Sequence, residues 1–533
     1  MSIRKTLLAA ATAALLAGTA LPAFAKTFRF AFQGNYQALD PYTLNETFTL
    51  GMHAAAYEAL TRRDKDLNII PGLAERWETV DPLRWRFHLR KNVKFHNGNP
   101  FNADDVLFSA QRVRATGSDL KTRLPADAEF VKVDDHTVEV VLKTPNPILH
   151  AEWDTWYIMD REWAEANNAV APTSASATTP SYAALNANGT GPFKVESHQP
   201  GVKTVWKPNT EWWNEPNKQH NLTEVIFTPI GSDATRVAAL LSGEVDWIDP
   251  VPLQDMQRVN QNPNTQVLTG PELRTIHLGF DQKRDELKYS NVKGKNPFKD
   301  VRVREAFQKA IDLQVIKDRV MRGASVPSGL MISPLLMPEG SAEQFPPAKV
   351  DIEGAKKLLT EAGYPNGFEV TMDCPNDRYV NDEQICQAAV QMLARIGVRV
   401  NLNAQTKTRY FAKVLATGGY DTSFYLLGWT PSSFDTWNVL ANITGCRDET
   451  GKGGPFNFGG YCNPKLDEMA TKILVETDKA KRDQMVVEAH KLERSDVSHI
   501  PLHQQALAWG VNKKTKVIPR ADNQFLLYWV NKE

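Results

Sequence analysis

A chain of 533 residues is too long for a single hydrophobic core by the usual scaling of surface with volume, so at least two lobes are expected. Its 62 basic and 62 acidic residues balance, which argues against a nucleic-acid or anionic-membrane partner, and a hydrophobic content of 42% is ample for packed cores.

In chain order, residues 1–25 come first. Arg4 and Lys5 precede an apolar run from Leu7 to Leu16, and Ala23-Phe24-Ala25 follows. These are the charged, apolar and small-residue regions of a secretory signal peptide, with cleavage after Ala25 leaving Lys26 first. The competing reading, a membrane anchor, needs about 18 apolar residues, and neither this stretch nor any later one supplies them. No cysteine stands at the cleavage point, so the expected product diffuses freely in a periplasm. Losing Arg4 and Lys5 leaves it a formal charge of about minus two.

Trp85 to Arg90 (WRFHLR) alternates bulky and polar residues with the period of a half-buried strand, which Val93 to Phe95 continues and His96-Asn97-Gly98-Asn99-Pro100 stops. Asn102 then offers a helix N-cap, and Asp104 and Asp105 sit in the first turn, where acids favour the positive end of the helix dipole. The run from Ala166 to Ala187, rich in Ala, Ser, Thr, Asn and Pro, reads as a surface spacer. Further strands are expected at 138–142, 204–206, 224–228, 275–280 and 369–372. Helices are expected at 233–241, 301–311, 352–362, 382–396 and 479–493. The pattern is α/β, or mixed α+β, with helices packed on sheets.

All four cysteines lie in the last third of the chain, and an exported protein oxidises its thiols. Two local disulfides, Cys374–Cys386 and Cys446–Cys462, are the simplest pairing. Each closes a loop of about a dozen to sixteen residues, worth roughly 3 kcal/mol in the chain-entropy model. A metal site is the competing reading, but the spacing lacks a C-x-x-C pair. Nucleophile elbow, zinc helix, P-loop and dinucleotide fingerprint are all missing, so no catalytic residue is assigned. His499 and His503 stand four apart with Pro501 between them in an extended run, which suits loop or core histidines better than metal ligands. His88 and His96 are expected to satisfy local hydrogen bonds.

The segment from Leu73 to Ser109 closely resembles the extracellular solute-binding proteins of family 5, the peptide and nickel binders that feed bacterial ABC importers. Leu39-Asp40-Pro41 is similar to that family's opening, and Asn188 to Val195 (NGTGPFKV) to its central turn. Asn209 with Trp212-Trp213, Arg236 to Asp246, Pro297 to Asp312 and Glu361 to Val370 extend the resemblance in the family's order over nearly the whole mature chain.

The resemblance implies a two-lobed periplasmic binding protein fold with a hinged cleft and a subdomain inserted in the first lobe. Residues 26–58, 188–272 and 505–533 would form the core of lobe one, 59–187 the inserted subdomain and 273–504 lobe two. The hinge would be crossed near Leu273 to Ile276 and near Pro501 to Gln505. The implied function is capture of a dipeptide, oligopeptide or similar zwitterion by a monomer without cofactor, and delivery to a membrane permease. The Cys446–Cys462 pair is similar to a loop disulfide of dipeptide-binding relatives.

Arg378 lies between an expected strand and helix, where an arginine of such relatives grips the ligand carboxylate as a bidentate pair. A plain surface salt bridge to Asp373, Asp377 or Asp382 is the bland alternative. Trp429, where the buried run from Tyr420 gives way to loop, is the candidate aromatic wall. Relatives place an aspartate for the peptide amine three residues after that tryptophan, and here the position is Ser432. Asp435 and Glu46 are the substitute anions considered, and Gln33 would face the cleft from lobe one. Ser432 opens alternatives: an acylated amino acid, an opine-like conjugate or a modified peptide. Relatives that bind nickel complexes add a metal chelate. The rival of another class is a secreted peptide or conjugate hydrolase.

Overall fold

The computed structural model describes residues 26–448, 453–476 and 478–533, so the expected signal peptide lies outside the described residues. No helix among the described residues is long and apolar enough to cross a membrane.

One large mixed sheet organises the molecule. The strand Thr27–Phe32 pairs in parallel with Glu224–Pro229 and Trp247–Asp249, and Lys203–Pro208 and Phe193–Gln199 extend that side. On the other side Phe424–Trp429, Glu369–Pro375 and Arg399–Gln405 lie in order. Two long antiparallel strands, Thr265–Phe280 and His499–Asn512, join the halves, so the two lobes share one sheet. Their pairing loses register between Pro271 and Thr275 and again between Ile276 and His277. A local break in a ladder is where a sheet bends, and this one separates the halves.

Each half has its own core. Phe28, Phe30, Trp206, Trp247 and Phe525 pack on one, and Phe280, Phe298, Phe307, Phe368 and Phe424 on the other. A separate antiparallel sheet, in the order Ala74–Asp81, Arg84–Leu89, Thr137–Val141, Glu129–Asp134, covers the helix Ala103–Arg114 and the buried Trp153 and Trp156. The alternation in WRFHLR is what puts it there: Trp85, Phe87 and Leu89 face inward, while Arg84 and Arg86 reach Glu139 at 2.8 and 2.6 Å. Asn102 caps the helix in a capping box with Asp105.

The other motifs have physical reasons too. A Cβ on Gly189 would lie 2.0 Å from the carbonyl oxygen of Ala56, and one on Gly191 2.7 Å from that of Ala55, so the NGTGPF turn must be glycine to press against the helix Thr47–Ala56. Asp40 is fully buried and receives Arg112 as a fork, Nη1 to Oδ1 at 2.8 Å and Nη2 to Oδ2 at 2.6 Å. Thr173 also donates to Asp40, from its backbone N–H and its hydroxyl. The stretch from Ala166 to Ala187 is therefore more than a spacer, for Ala169 and Ala183 are buried as well.

His499 and His503 sit on a strand and are buried, and burial pushes His503 down to about 3, so both rings are neutral core groups. His96 joins two motifs, its Nε2 lying 3.0 Å from the carbonyl oxygen of Gly191.

The cysteines pair as Cys374–Cys386 and Cys446–Cys462, with none left free. Replacing Cys374 and Cys386 together by alanine is expected to lower the unfolding free energy by about 3 kcal/mol. Urea denaturation checks this, and an unchanged midpoint would mean that the closed loop adds nothing.

Candidate ligand-binding cleft

Arg378 follows the strand Glu369–Pro375, in a short loop held at both ends. The Cys374–Cys386 bridge ties the strand to the helix Asp382–Ala394, and one carboxylate oxygen of Asp382 accepts the N–H groups of Arg378 and Tyr379, each at 2.9 Å. The guanidinium lies over the Tyr379 ring, 4.7 Å from its centroid, and is 7% exposed. Its Nε stands 3.1 Å from Glu46 Oε1, whereas neither Nη hydrogen-bonds among the described residues. Its partner is thus Glu46, ahead of the helix Thr47–Ala56, and none of Asp373, Asp377 and Asp382 pairs with its side chain among the described residues.

Glu46 is the N-cap of the helix Thr47–Ala56, accepting the N–H and hydroxyl of Thr49 at 2.8 and 2.6 Å. Lys407 Nζ stands 3.4 Å from its Oε2. Burial alone would raise its pKa. Lys407, Arg378 and the Thr49 donors outweigh burial and bring it down to about 2, so the carboxylate is charged.

Arg378 and Glu46 line a cleft whose empty space, part of it open to solvent, is about 680 Å³. Trp429, at the end of the strand Phe424–Trp429, forms part of the wall against Phe456, its Nε1 donating to Asn438 at 2.9 Å. Ser432 lines the cavity as well, and its hydroxyl donates to Glu152 at 2.6 Å across the cleft. Arg63 donates to the Ser432 carbonyl at 3.1 Å and lies 4.1 Å over the Phe434 ring.

Two further candidates are placed elsewhere. Asp435 does not line the cavity: its Oδ1 caps the helix Thr436–Asn442 and pairs with Arg482 at 2.8 Å. Gln33 lines a small adjoining space with Arg378 and Asp249, and donates to the Tyr379 carbonyl at 3.4 Å.

Sequence reasoning missed four charged groups of the main wall: Arg123, Arg274, Asp154 and Asp522. Arg274 is held by Glu272 at 2.6 Å and donates to Thr47 at 3.0 Å, and Asp522 is engaged by Arg520. Arg123 donates to Asn45 at 2.9 Å and leaves its Nε and Nη1 without hydrogen bonds among the described residues. Asp154 takes Arg63 Nε at 3.0 Å on Oδ2 and has no partner on Oδ1. Arg123 and Asp154, each with a side-chain polar atom that no hydrogen bond satisfies among the described residues, thus line one space together with aromatic rings. A ligand carrying both carboxylate and N–H groups satisfies both, and buried polar groups left unsatisfied are costly.

Residues 68–451 match the family described as bacterial extracellular solute-binding proteins, family 5. The chain belongs to that family. This solute-binding protein therefore binds a small ligand and works with the permease subunits of an ABC importer. It is 27% identical to the glutathione-binding protein GsiB of Pectobacterium atrosepticum, over 96% of this chain and 95% of that protein. Its fold is similar to that of AgaA from A. tumefaciens R10 in complex with agropinic acid, with a TM-score of 0.81 and 23% identity over 95% of this chain and 99% of the other. It is also similar to the ABC transporter-associated periplasmic binding protein DppA from Helicobacter pylori in complex with the peptide STSA, with a TM-score of 0.80 and 22% identity over 96% and 98% of the two chains. The two-lobed binding-protein architecture is common to them.

Proposed function

We propose that the protein captures a short peptide or peptide-like zwitterion in the cleft, closes over it and hands it unchanged to the permease. The observation that carries this reading is the Arg378 guanidinium, ion-paired with Glu46 at 3.1 Å and with no Nη hydrogen bond among the described residues, on the wall of the same cavity as Asp154, whose Oδ1 has no partner there. A planar fork with two free N–H faces suits a carboxylate, and the carboxylate oxygen suits an amine or amide. A similar protein is described as binding glutathione, a peptide with two free carboxylates, and two similar folds hold agropinic acid and the peptide STSA. A similar fold that holds agropinic acid supports, as a second reading, an opine-like conjugate.

The division into a core of 26–58, 188–272 and 505–533, an insert of 59–187 and a lobe of 273–504 fits the two halves of the sheet and the separate four-stranded sheet, with closure about the break near Pro271 to Thr275. Export through residues 1–25 to the periplasm, where such proteins meet their permeases, belongs to the same reading, as does binding without catalysis.

Thermal shift of the mature protein against dipeptides, tripeptides, glutathione and opine-like N-carboxyalkyl amino acids, with product analysis of each mixture, tests this function. At about 100 times its dissociation constant a true ligand is expected to add about 2.7 kcal/mol of stability and to be recovered intact. Repeated turnover of any of them would make the protein a hydrolase.

A further inference from the structure

The strands Thr265–Phe280 and His499–Asn512 lose register between Pro271 and Thr275, and the residues in that break include Glu272 and Arg274. Breaks of this kind re-aim side chains beside sites. Arg274 here lines the main cavity while its residue is only 1% exposed. Gly428 on the neighbouring strand leaves the room, since a Cβ there would lie 2.7 Å from Tyr379 Cε1 and 3.0 Å from Arg274 Cδ. The guanidinium carbon of Arg274 stands 5.6 Å from the Tyr379 ring centroid, and that of Arg378 4.7 Å. Two guanidinium groups thus share one ring and line one space.

Each is fixed by some of its nitrogens and leaves others over. Arg274 donates from Nε to Glu272 at 2.6 Å and from Nη2 to Thr47 at 3.0 Å, and its Nη1 has no acceptor among the described residues. Both Nη groups of Arg378 are in the same condition. None of these three nitrogens is sealed from solvent, whereas Arg378 Nε is. The carboxylates around the ring are already engaged. Glu46 meets Arg378, Lys407 and Thr49, and Glu272 divides its oxygens between Arg274 and the Gln505 amide at 2.7 Å. Gln505 in turn accepts the N–H of Val380 at 3.2 Å, so one chain of contacts fixes Arg274 to the loop that carries Arg378. Asp249 acts on both arginines from further off and is pushed up to about 7, by burial and then by Glu272, so it does not fully neutralise them. The fork of Arg378 suits one carboxylate, and Nη1 of Arg274 is left for a second.

We propose that Arg274 is a second anion anchor beside Arg378, and that it makes the cleft select peptides whose C-terminal residue is itself acidic. The inference rests on the carboxylate grip read above and adds to it the identity of the residue at that end of the ligand. Arg378 takes the terminal carboxylate, and Arg274 takes the side-chain carboxylate of an aspartate or glutamate, a few carbons away. Each ligand charge then meets a cation when water leaves, as buried charges require.

Calorimetric titration of the mature protein with Ala-Glu and Ala-Gln tests it, because these dipeptides differ in the second carboxylate alone. Ala-Glu is expected to bind about tenfold or more tightly than Ala-Gln. Arg274→Gln is expected to abolish that preference, and Arg274→Lys, which keeps a cation, to retain part of it. Since Arg274→Gln strands Glu272, the double variant Glu272→Gln with Arg274→Gln is titrated beside it, and the same loss of preference is expected. Equal affinity of the native protein for the two dipeptides overturns the second anchor, and so does a preference that survives in either glutamine variant. Both results leave the grip of Arg378 standing. Should neither glutamine variant fold, the native comparison decides alone. A native protein that binds neither dipeptide overturns the peptide reading itself, and the second anchor with it.

Discussion

Replacing Arg378 by alanine is expected to weaken a free-carboxylate peptide by about 2 to 5 kcal/mol, roughly thirtyfold to several thousandfold, as for truncating one partner of a buried charge pair. The effect falls on binding more than on folding. The loop keeps its disulfide and the two N–H bonds to Asp382, neither of which involves the guanidinium. Glu46 keeps Lys407 and the two Thr49 donors, so its charge is not stranded when Arg378 goes. Arg378→Lys retains a cation and loses the fork, and is expected to fall between native and alanine proteins. Calorimetry with urea denaturation as a control separates the two effects. Native affinity in Arg378→Ala would remove the residue from the site.

Replacing Arg112 by alanine is expected to cost about 3 to 5 kcal/mol of stability, because it strands the fully buried Asp40 carboxylate. Burial by itself would raise the pKa of Asp40. Arg112 and the backbone donors of Thr173 and Tyr42 prevail and hold it below the ordinary carboxylate range. A group whose folded pKa is depressed contributes stability that is complete above its unfolded pKa and vanishes as pH falls through the folded one. The stability lost in Asp40→Asn is therefore expected to be larger at pH 7 than at pH 3. A deficit that grows on acidification would show that the pair is not ionic in the folded protein.

The scaffold was legible in the sequence where its cause is local. WRFHLR shows its burial by alternation, and Asn102 with Asp105 shows its helix start by hydrogen bonds that span three residues. The resemblance supplied what periodicity could not: that Asp40 and the NGTGPF turn belong to one lobe, and that Arg378 belongs to the cleft. Distant meetings left no local mark. Asp154 stands beside the buried Trp153, and Arg274 two residues after Glu272 in a long strand, yet both reach the wall of the cavity across more than a hundred residues of chain. Asp435 misled for the opposite reason. Its distance from Trp429 suggested reach, but an aspartate directly ahead of a helix caps it, and the oxygen that caps also takes Arg482.

Glu152 was equally hidden. Ser432 looked like a position without charge, but it donates to Glu152, 280 residues earlier in the chain, and Asn438 and Arg123 approach the same carboxylate at 3.1 and 3.8 Å. The carboxylate near that loop is thus supplied by a residue distant in sequence.

The central claim is that a ligand carboxylate is gripped by a guanidinium fork between the lobes. Calorimetric titration of the native mature protein with Ala-Ala-Ala and with its C-terminal amide tests this most directly. The account predicts one peptide bound per chain and at least tenfold weaker binding of the amide; equal affinity for the two would contradict it.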